Sequence, residues 1–189
     1  MKNTDSFFRA YVVTALWSSV DSAANAEIAA KAAGWSVHSE ETPAGVKWVH
    51  VGPGENGADF VHDFEFETEA WQAAAEEIGA ATDSALDKHF SASDLAPETV
   101  EKMLADCAKF WNENAETIEA AIATGEVACG PDFDAYGHAA HDFWLTRGRH
   151  GCGFWDGDWP EPMAETLSAA AHAFGECDLY VGDDGKIYC

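Results

Sequence analysis

Three long stretches of this chain carry no cation: no Lys or Arg lies between Lys47 and Lys88, between Lys109 and Arg147, or between Arg149 and Lys186. Any fold built on them presents only negative charge along those stretches. Over the whole chain 34 Asp and Glu face 10 Lys and Arg, a formal charge of −24. Such a surface repels phosphate, which argues against nucleic acid, nucleotides and anionic membrane as direct ligands and favours a basic partner.

The acidity is not that of a disordered tail. With 189 residues, 47% of them apolar, and with eight Trp and eleven Phe, the chain is able to bury a real core. One elaborated domain or two small ones is the natural count. The opening residues loosely imitate a signal peptide, but Asp5 and Arg9 interrupt it. Phe8, Tyr11, Val12, Ala15 and Leu16 fall at helical spacing instead, which predicts an amphipathic helix. No stretch is long and apolar enough to span a bilayer. Five cysteines without paired spacing fit reduced thiols in a cytoplasm better than a disulfide framework.

Residues 22–88 read as a compact module of helix, three strands and helix. An Ala-rich helix ends near Gly34; strands are expected at Trp35–Ser39, Val46–Val51 and Asp59–Glu67; Thr68 is placed to cap a helix that stops at Gly79. From Ser91 onward Pro97 opens a helix carrying Val100, Leu104, Cys107, Trp111, Ile118 and Ile122, with Asn112 and Asn114 as a possible break. Strands are then expected at Asp142–Arg147 and Gly153–Asp156, followed by a helix from Pro162 to Phe174 and a hairpin turning at Asp183-Asp184-Gly185. The expected class is α+β, an antiparallel sheet with packed helices plus the small α/β module.

Residues 59–67 are the most suggestive acidic element. As a strand they alternate Phe60, His62, Phe64 and Phe66 with Asp59, Val61, Asp63, Glu65 and Glu67. Carboxylates two residues apart on a strand stand roughly 7 Å from each other. That is comparable to two rises of about 3.4 Å along one DNA strand, so a carboxylate row is able to imitate a phosphate row. Glu69, Glu76 and Glu77 on the following helix extend it. An ordinary solvated face, or acidity serving solubility in high salt, explains the same pattern without a partner.

Other motifs favour ordinary readings. His138, His141, His150 and Cys152 suit zinc by type but not by spacing, so hydrogen-bonded histidines at a turn are expected, with no metal and no cofactor. Cys152 lies between two glycines near Arg147 and Arg149, which would favour its thiolate, yet no base accompanies it. Gly52-x-Gly54-x-x-Gly57 precedes a strand rather than a helix, and Asp183-Asp184-Gly185 lacks the remaining ligands of a calcium loop. No Gly-x-Ser-x-Gly elbow presents a nucleophile. Phe143-Trp144 and Phe154-Trp155 read as core, one member of each pair on either face of a strand.

The segments His141-Asp-Phe-Trp-Leu-Thr-Arg147, His150-Gly-Cys-Gly-Phe-Trp-Asp156 and Asp178-Leu-Tyr-Val-Gly-Asp-Asp-Gly-Lys-Ile-Tyr188 together resemble a family of small, mostly uncharacterised bacteriophage and prophage proteins. Phe8–Tyr11, Ala15–Ser19, Asp94–Glu98 and Asp106-Cys107 resemble that family's opening, whose two blocks lie close together there. The resemblance implies that residues 1–21 and 89–189 form the family scaffold, that 22–88 is inserted, and that the setting is a host cytoplasm. It carries over no catalytic residue. The leading expectation is a non-enzymatic DNA mimic, an anti-CRISPR or anti-restriction inhibitor that occupies a basic host surface through Asp59, Asp63, Glu65, Glu67, Glu69, Glu76 and Glu77. The alternatives are a small metal protein or enzyme centred on His141, His150 and Cys152, and an acidic structural or adaptor protein.

Overall fold

The computed structural model describes residues 2–41, 47–54, 64 and 66–189. The protein is α+β: mostly helical, with two small antiparallel two-stranded sheets among the described residues. It divides into two compact units, one made of Met1–Ser19 with Ala85–Cys189 and the other of Val20–Ser84.

In the first unit, α1 (Lys2–Ser18), α4 (Pro97–Thr124), α5 (Ala135–Arg147) and α6 (Met163–His172) surround one core, completed by the hairpin of β3 (Tyr180–Val181) and β4 (Ile187–Tyr188). Of the expected apolar stripe of α1, Tyr11, Val12, Ala15 and Leu16 are buried, but Phe8 is half-buried and Phe7 takes the core position instead. Pro97 starts α4, and Gly125, at φ 75, ends it in the left-handed conformation that glycine adopts without penalty. Between them Thr99, Met103, Cys107, Phe110, Asn114, Ile118 and Ala121 face inward at steps of three and four. Asn114 does not break the helix, because its amide donates to the Phe110 carbonyl one turn earlier at 2.9 Å.

The strand expected at Asp142–Arg147 is instead the second half of α5. Asp134 caps that helix by accepting the Gly137 N–H, and Gly148 with Arg149, at φ 54, ends it. Nearly every residue of α5 from Gly137 to Arg147 is buried, so no polar face marks its period. Gly153–Asp156 is likewise a turn and not a strand. Its shape depends on Gly153, at φ 146, where any side chain would meet the Thr146 hydroxyl at 2.2 Å. That same hydroxyl accepts the Phe154 N–H. Phe143, Trp144 and Phe154 are buried while Trp155 is exposed.

A charged group organises this core. Arg147, 2% exposed, donates to Tyr11 Oη and Asp106 Oδ2, each at 2.7 Å, and to the Gly175 and Phe174 carbonyls at 2.8 and 3.3 Å. One guanidinium thus fastens α1, α4, α5 and the end of α6. Around it Phe110 stacks on Phe143 with ring centres 4.0 Å apart, and Trp144 meets Tyr11 edge to face.

The second unit uses smaller parts. Its hairpin pairs β1 (Trp35–Glu41) with β2 (Lys47–Pro53), and α2 (Ser22–Ala32) and α3 (Glu67–Glu77) pack with it. The core is Ala26, Ala30, Ala70, Ala74 and Ala75 with Val49, Val51 and Trp71. Asp21 caps α2 through the Ala24 N–H, and the Asn25 amide donates to the Thr82 and Ser84 carbonyls. The third strand expected at 59–67 is described only at Phe64, which bridges to Val49, and from Phe66 onward. α3 begins at Glu67, one residue before the expected Thr68 cap, and ends before Gly79 at φ 65.

The expectation of five reduced thiols does not hold. Cys177 and Cys189, at either end of the last hairpin, form a disulfide; Cys107, Cys129 and Cys152 are free. The antiparallel pairing of Tyr180 with Tyr188 brings the two backbones together just beyond it.

Candidate functional site

Of the seven carboxylates expected to face a partner, Asp59, Asp63 and Glu65 lie outside the described residues. Glu67, Glu69, Glu76 and Glu77 all belong to α3 and are exposed, because Ala70, Trp71, Ala74 and Ala75 occupy its buried side. Glu67 accepts a hydrogen bond from the Ser39 hydroxyl. Glu69 and Glu76 are seven residues apart, so they share a face two turns apart, about 10.5 Å along the axis. The cations of this unit are Lys31 and Lys47 alone, against thirteen Asp and Glu. Lys31 pairs with Glu27 and lies over the Trp71 ring of α3.

The histidines weighed for metal binding separate into two sets. His150 sits at the end of α5, where its N–H donates to the Leu145 carbonyl, and Cys152 is half-buried in the following turn. Burial pushes the Cys152 thiol up, and Asp156, Asp142 and Asp158 add to it. Arg147 does not activate that thiol, since its guanidinium is committed to Asp106 and Tyr11. His150 and Cys152 thus belong to the turn after α5 and not to the His138–His141 group.

His138 and His141, by contrast, meet Asp142. Their ligand-type atoms lie within 4.8 Å of one another, the one such group of three or more among the described residues. α5 makes this geometry, because positions i, i+3 and i+4 share one helical face. His138 Nε2 is 3.3 Å from Asp142 Oδ2 and 3.6 Å from Asp158 Oδ2, and His141 Nδ1 is 2.8 Å from Asp142 Oδ1. The indole N–H of Trp159 donates to Asp142 Oδ2 at 2.6 Å. Aromatic rings wall the group: Trp159 stacks on His138, while Trp17 and Phe133 flank His141. Reading residues 142–147 as a strand hid this cluster; the Asp134 cap and Gly148 stop were the signals that would have exposed it.

A groove of about 740 Å³ also runs along α1, lined by Phe8, Val12, Leu16, Trp17 and Leu95 with Arg9, Asp87 and Asp132. Its lining is mostly apolar and holds no nucleophile–base pair. Asp183-Asp184-Gly185 is a hairpin turn as expected, with Asp184 accepting from the Lys186 N–H and the Tyr188 hydroxyl. Those hydrogen bonds hold the Asp184 carboxyl below its usual range. No helix among the described residues is long and apolar enough to cross a membrane.

The fold and these sites define an acidic α+β protein with a carboxylate-bearing helix and a buried His–Asp cluster. No family model, curated protein or solved structure matches the chain.

Proposed function

We propose that this is a non-enzymatic acidic binding protein that occupies a basic nucleic-acid-binding surface of another protein, as a phage-encoded DNA mimic acting against host defence in the host cytoplasm. The observation that carries the reading is the exposed α3 row of Glu67, Glu69, Glu76 and Glu77, in a stretch with no Lys or Arg from residue 48 to residue 87. The spacing of Glu69 and Glu76, about 10.5 Å along the helix axis, is close to three rises of about 3.4 Å along one DNA strand. Rigid carboxylates at that spacing compete for an arginine- and lysine-lined groove through steering and complementarity, with no chemical step. Residues 22–88 are the inserted module of helix, strands and helix that brings this face to a phage-family scaffold.

The test uses the full chain as bait against lysate of a candidate host, with salt and duplex DNA as competitors. A captured nucleic-acid-binding protein should be released as salt rises and displaced by excess duplex DNA. Changing Glu67, Glu69, Glu76 and Glu77 together to Lys should abolish capture and leave the fold intact. Capture of the same protein by the reversed variant, with unchanged salt dependence, overturns the reading.

A further inference from the structure

We infer that His138, His141 and Asp142, with Asp158 beside His138, form a structural binding site for a divalent transition metal of the zinc class. The inference stands apart from the acidic-face reading and reverses the expectation of a metal-free protein.

The strongest observation is an atom with nothing to do. His138 is 6% exposed, and its Nε2 is buried with no hydrogen-bond partner. Buried polar atoms are ordinarily satisfied, and leaving one without a partner is costly. Yet this atom is aimed at two carboxylates, 3.3 Å from Asp142 Oδ2 and 3.6 Å from Asp158 Oδ2. Good N–H···O bonds fall at about 2.7–3.2 Å. Two donors each about 2.0–2.1 Å from a tetrahedral zinc stand about 3.3–3.4 Å apart. The two His138 separations are closer to the edge of a coordination tetrahedron than to a hydrogen bond, while His141 Nδ1 hydrogen-bonds Asp142 Oδ1 at 2.8 Å.

Charge points the same way. Asp142 is 2% exposed, and among the described residues neither it nor Asp158 pairs with a Lys or Arg. A buried carboxylate needs a compensating cation, and among the described residues imidazoles and the Trp159 indole are what reaches it. A divalent ion supplies that charge. The converging donors are two imidazoles and the Asp142 carboxylate, with the Asp158 carboxylate beside His138 on the open side, a nitrogen and oxygen set that suits zinc. Trp159, bonded to the ligating Asp142, is the outer partner that orients it. Asp158 comes from the turn after Gly153 and the other three ligands from α5, so the ion would clamp that turn to the helix.

The full-length protein, stripped with chelator and dialysed, is titrated with zinc and separately with cobalt(II) as a spectroscopic probe. One equivalent should bind, with a visible cobalt absorption and a zinc-dependent rise in melting temperature. Asp158→Asn alters the half-exposed ligand alone, which keeps the test alive if changes at Asp142 unfold the chain. Asp158→Asn and His138→Gln should each weaken zinc at least about tenfold, while circular dichroism of the metal-free protein stays unchanged. Absence of binding at micromolar metal overturns the site, as does binding unaffected by both variants or binding lost instead in His150→Ala or Cys152→Ser.

Discussion

The two units solve the same problem with opposite materials. The first buries large rings, Phe7, Tyr11, Phe110, Phe143, Trp144 and Phe154, and places Arg147 among them. The second packs α2 and α3 through Ala26, Ala30, Ala70, Ala74 and Ala75, with Trp71 as its one large side chain of the fully described core. Rings bury much apolar area each, whereas alanines bury little and stabilise chiefly by letting helices approach closely. Charge divides differently again: Val20–Ser84 holds thirteen carboxylates against two lysines, a denser imbalance than the remainder of the chain. The unit with less apolar area to bury is also the one with more self-repulsion. That combination suits a face whose charge serves binding rather than stability.

The largest expected effect falls on the charged hub. Arg147→Met strands the buried Tyr11 Oη, leaves Asp106 with Lys102 alone, and should cost about 3–5 kcal/mol in denaturant unfolding. Arg147→Lys should not restore it, because one ammonium cannot reach four acceptors on separate elements. A cost below that of the Trp71 change described next would break the contrast between the units. The hub also makes the first unit acid-sensitive. Burial alone would raise the Asp106 carboxyl, but hydrogen bonds and charge from Arg147 and Lys102 outweigh it and hold the group below its usual range. A carboxyl depressed in the folded state contributes stability that is complete above its unfolded value, about 3.9, and lost as pH falls through the folded one. Unfolding followed from pH 6 to pH 2 should show that loss below about pH 4 in the native protein, and a smaller one in Asp106→Asn.

Next in size is Trp71→Ala, expected to cost about 3 kcal/mol by removing the one large ring in the second unit's core among the described residues. Hydrogen exchange should then accelerate across residues 20–84 while the amides of α4 and α5 keep their protection. Uniform acceleration along the whole chain would show that the units unfold as one. Gly153→Ala should cost about 1–3 kcal/mol, since its Cβ would collide with Thr146 and the backbone there favours glycine. It should weaken zinc as well, because Asp158 rides on the same turn. The smallest effect belongs to the acidic face: Glu69→Lys or Glu76→Lys should change stability by no more than about 0.5 kcal/mol, and slightly upward if self-repulsion matters.

Those elements with one wet face were legible beforehand. α1, α4 and α6 announce themselves through apolar residues at steps of three and four, and the last hairpin through Asp183-Asp184-Gly185. α5 was not legible as a helix because it is enclosed on all sides, so Ala139, Ala140, Phe143, Trp144 and Leu145 leave no polar stripe to give its period. Misreading it concealed the His138–His141–Asp142 face. The role of Arg147 was out of reach for another reason: its partners lie 41 and 136 residues away, and no local pattern encodes such pairings. For the acidic face, the exposure of Glu67, Glu69, Glu76 and Glu77 follows from the apolar spacing of α3, which the sequence displays. An odd cysteine count argued against pairing, yet the hairpin brings two of the five together.

The long reach from Tyr11 to Arg147 also sets a timetable for the chain as it is made. At about 5–20 residues per second, a ribosome needs roughly 7–27 s to travel the 136 residues between them. All of residues 20–84 are synthesised inside that interval, and the partners described above for them lie within the same stretch, so the alanine-built unit is free to finish first. Until α4 brings Phe110 and Trp111, Phe7, Tyr11 and Leu16 have no core to enter. The nascent protein therefore passes through a stage with one unit complete and a greasy helix uncovered upstream of it, which is the stage at which chaperones have something to hold.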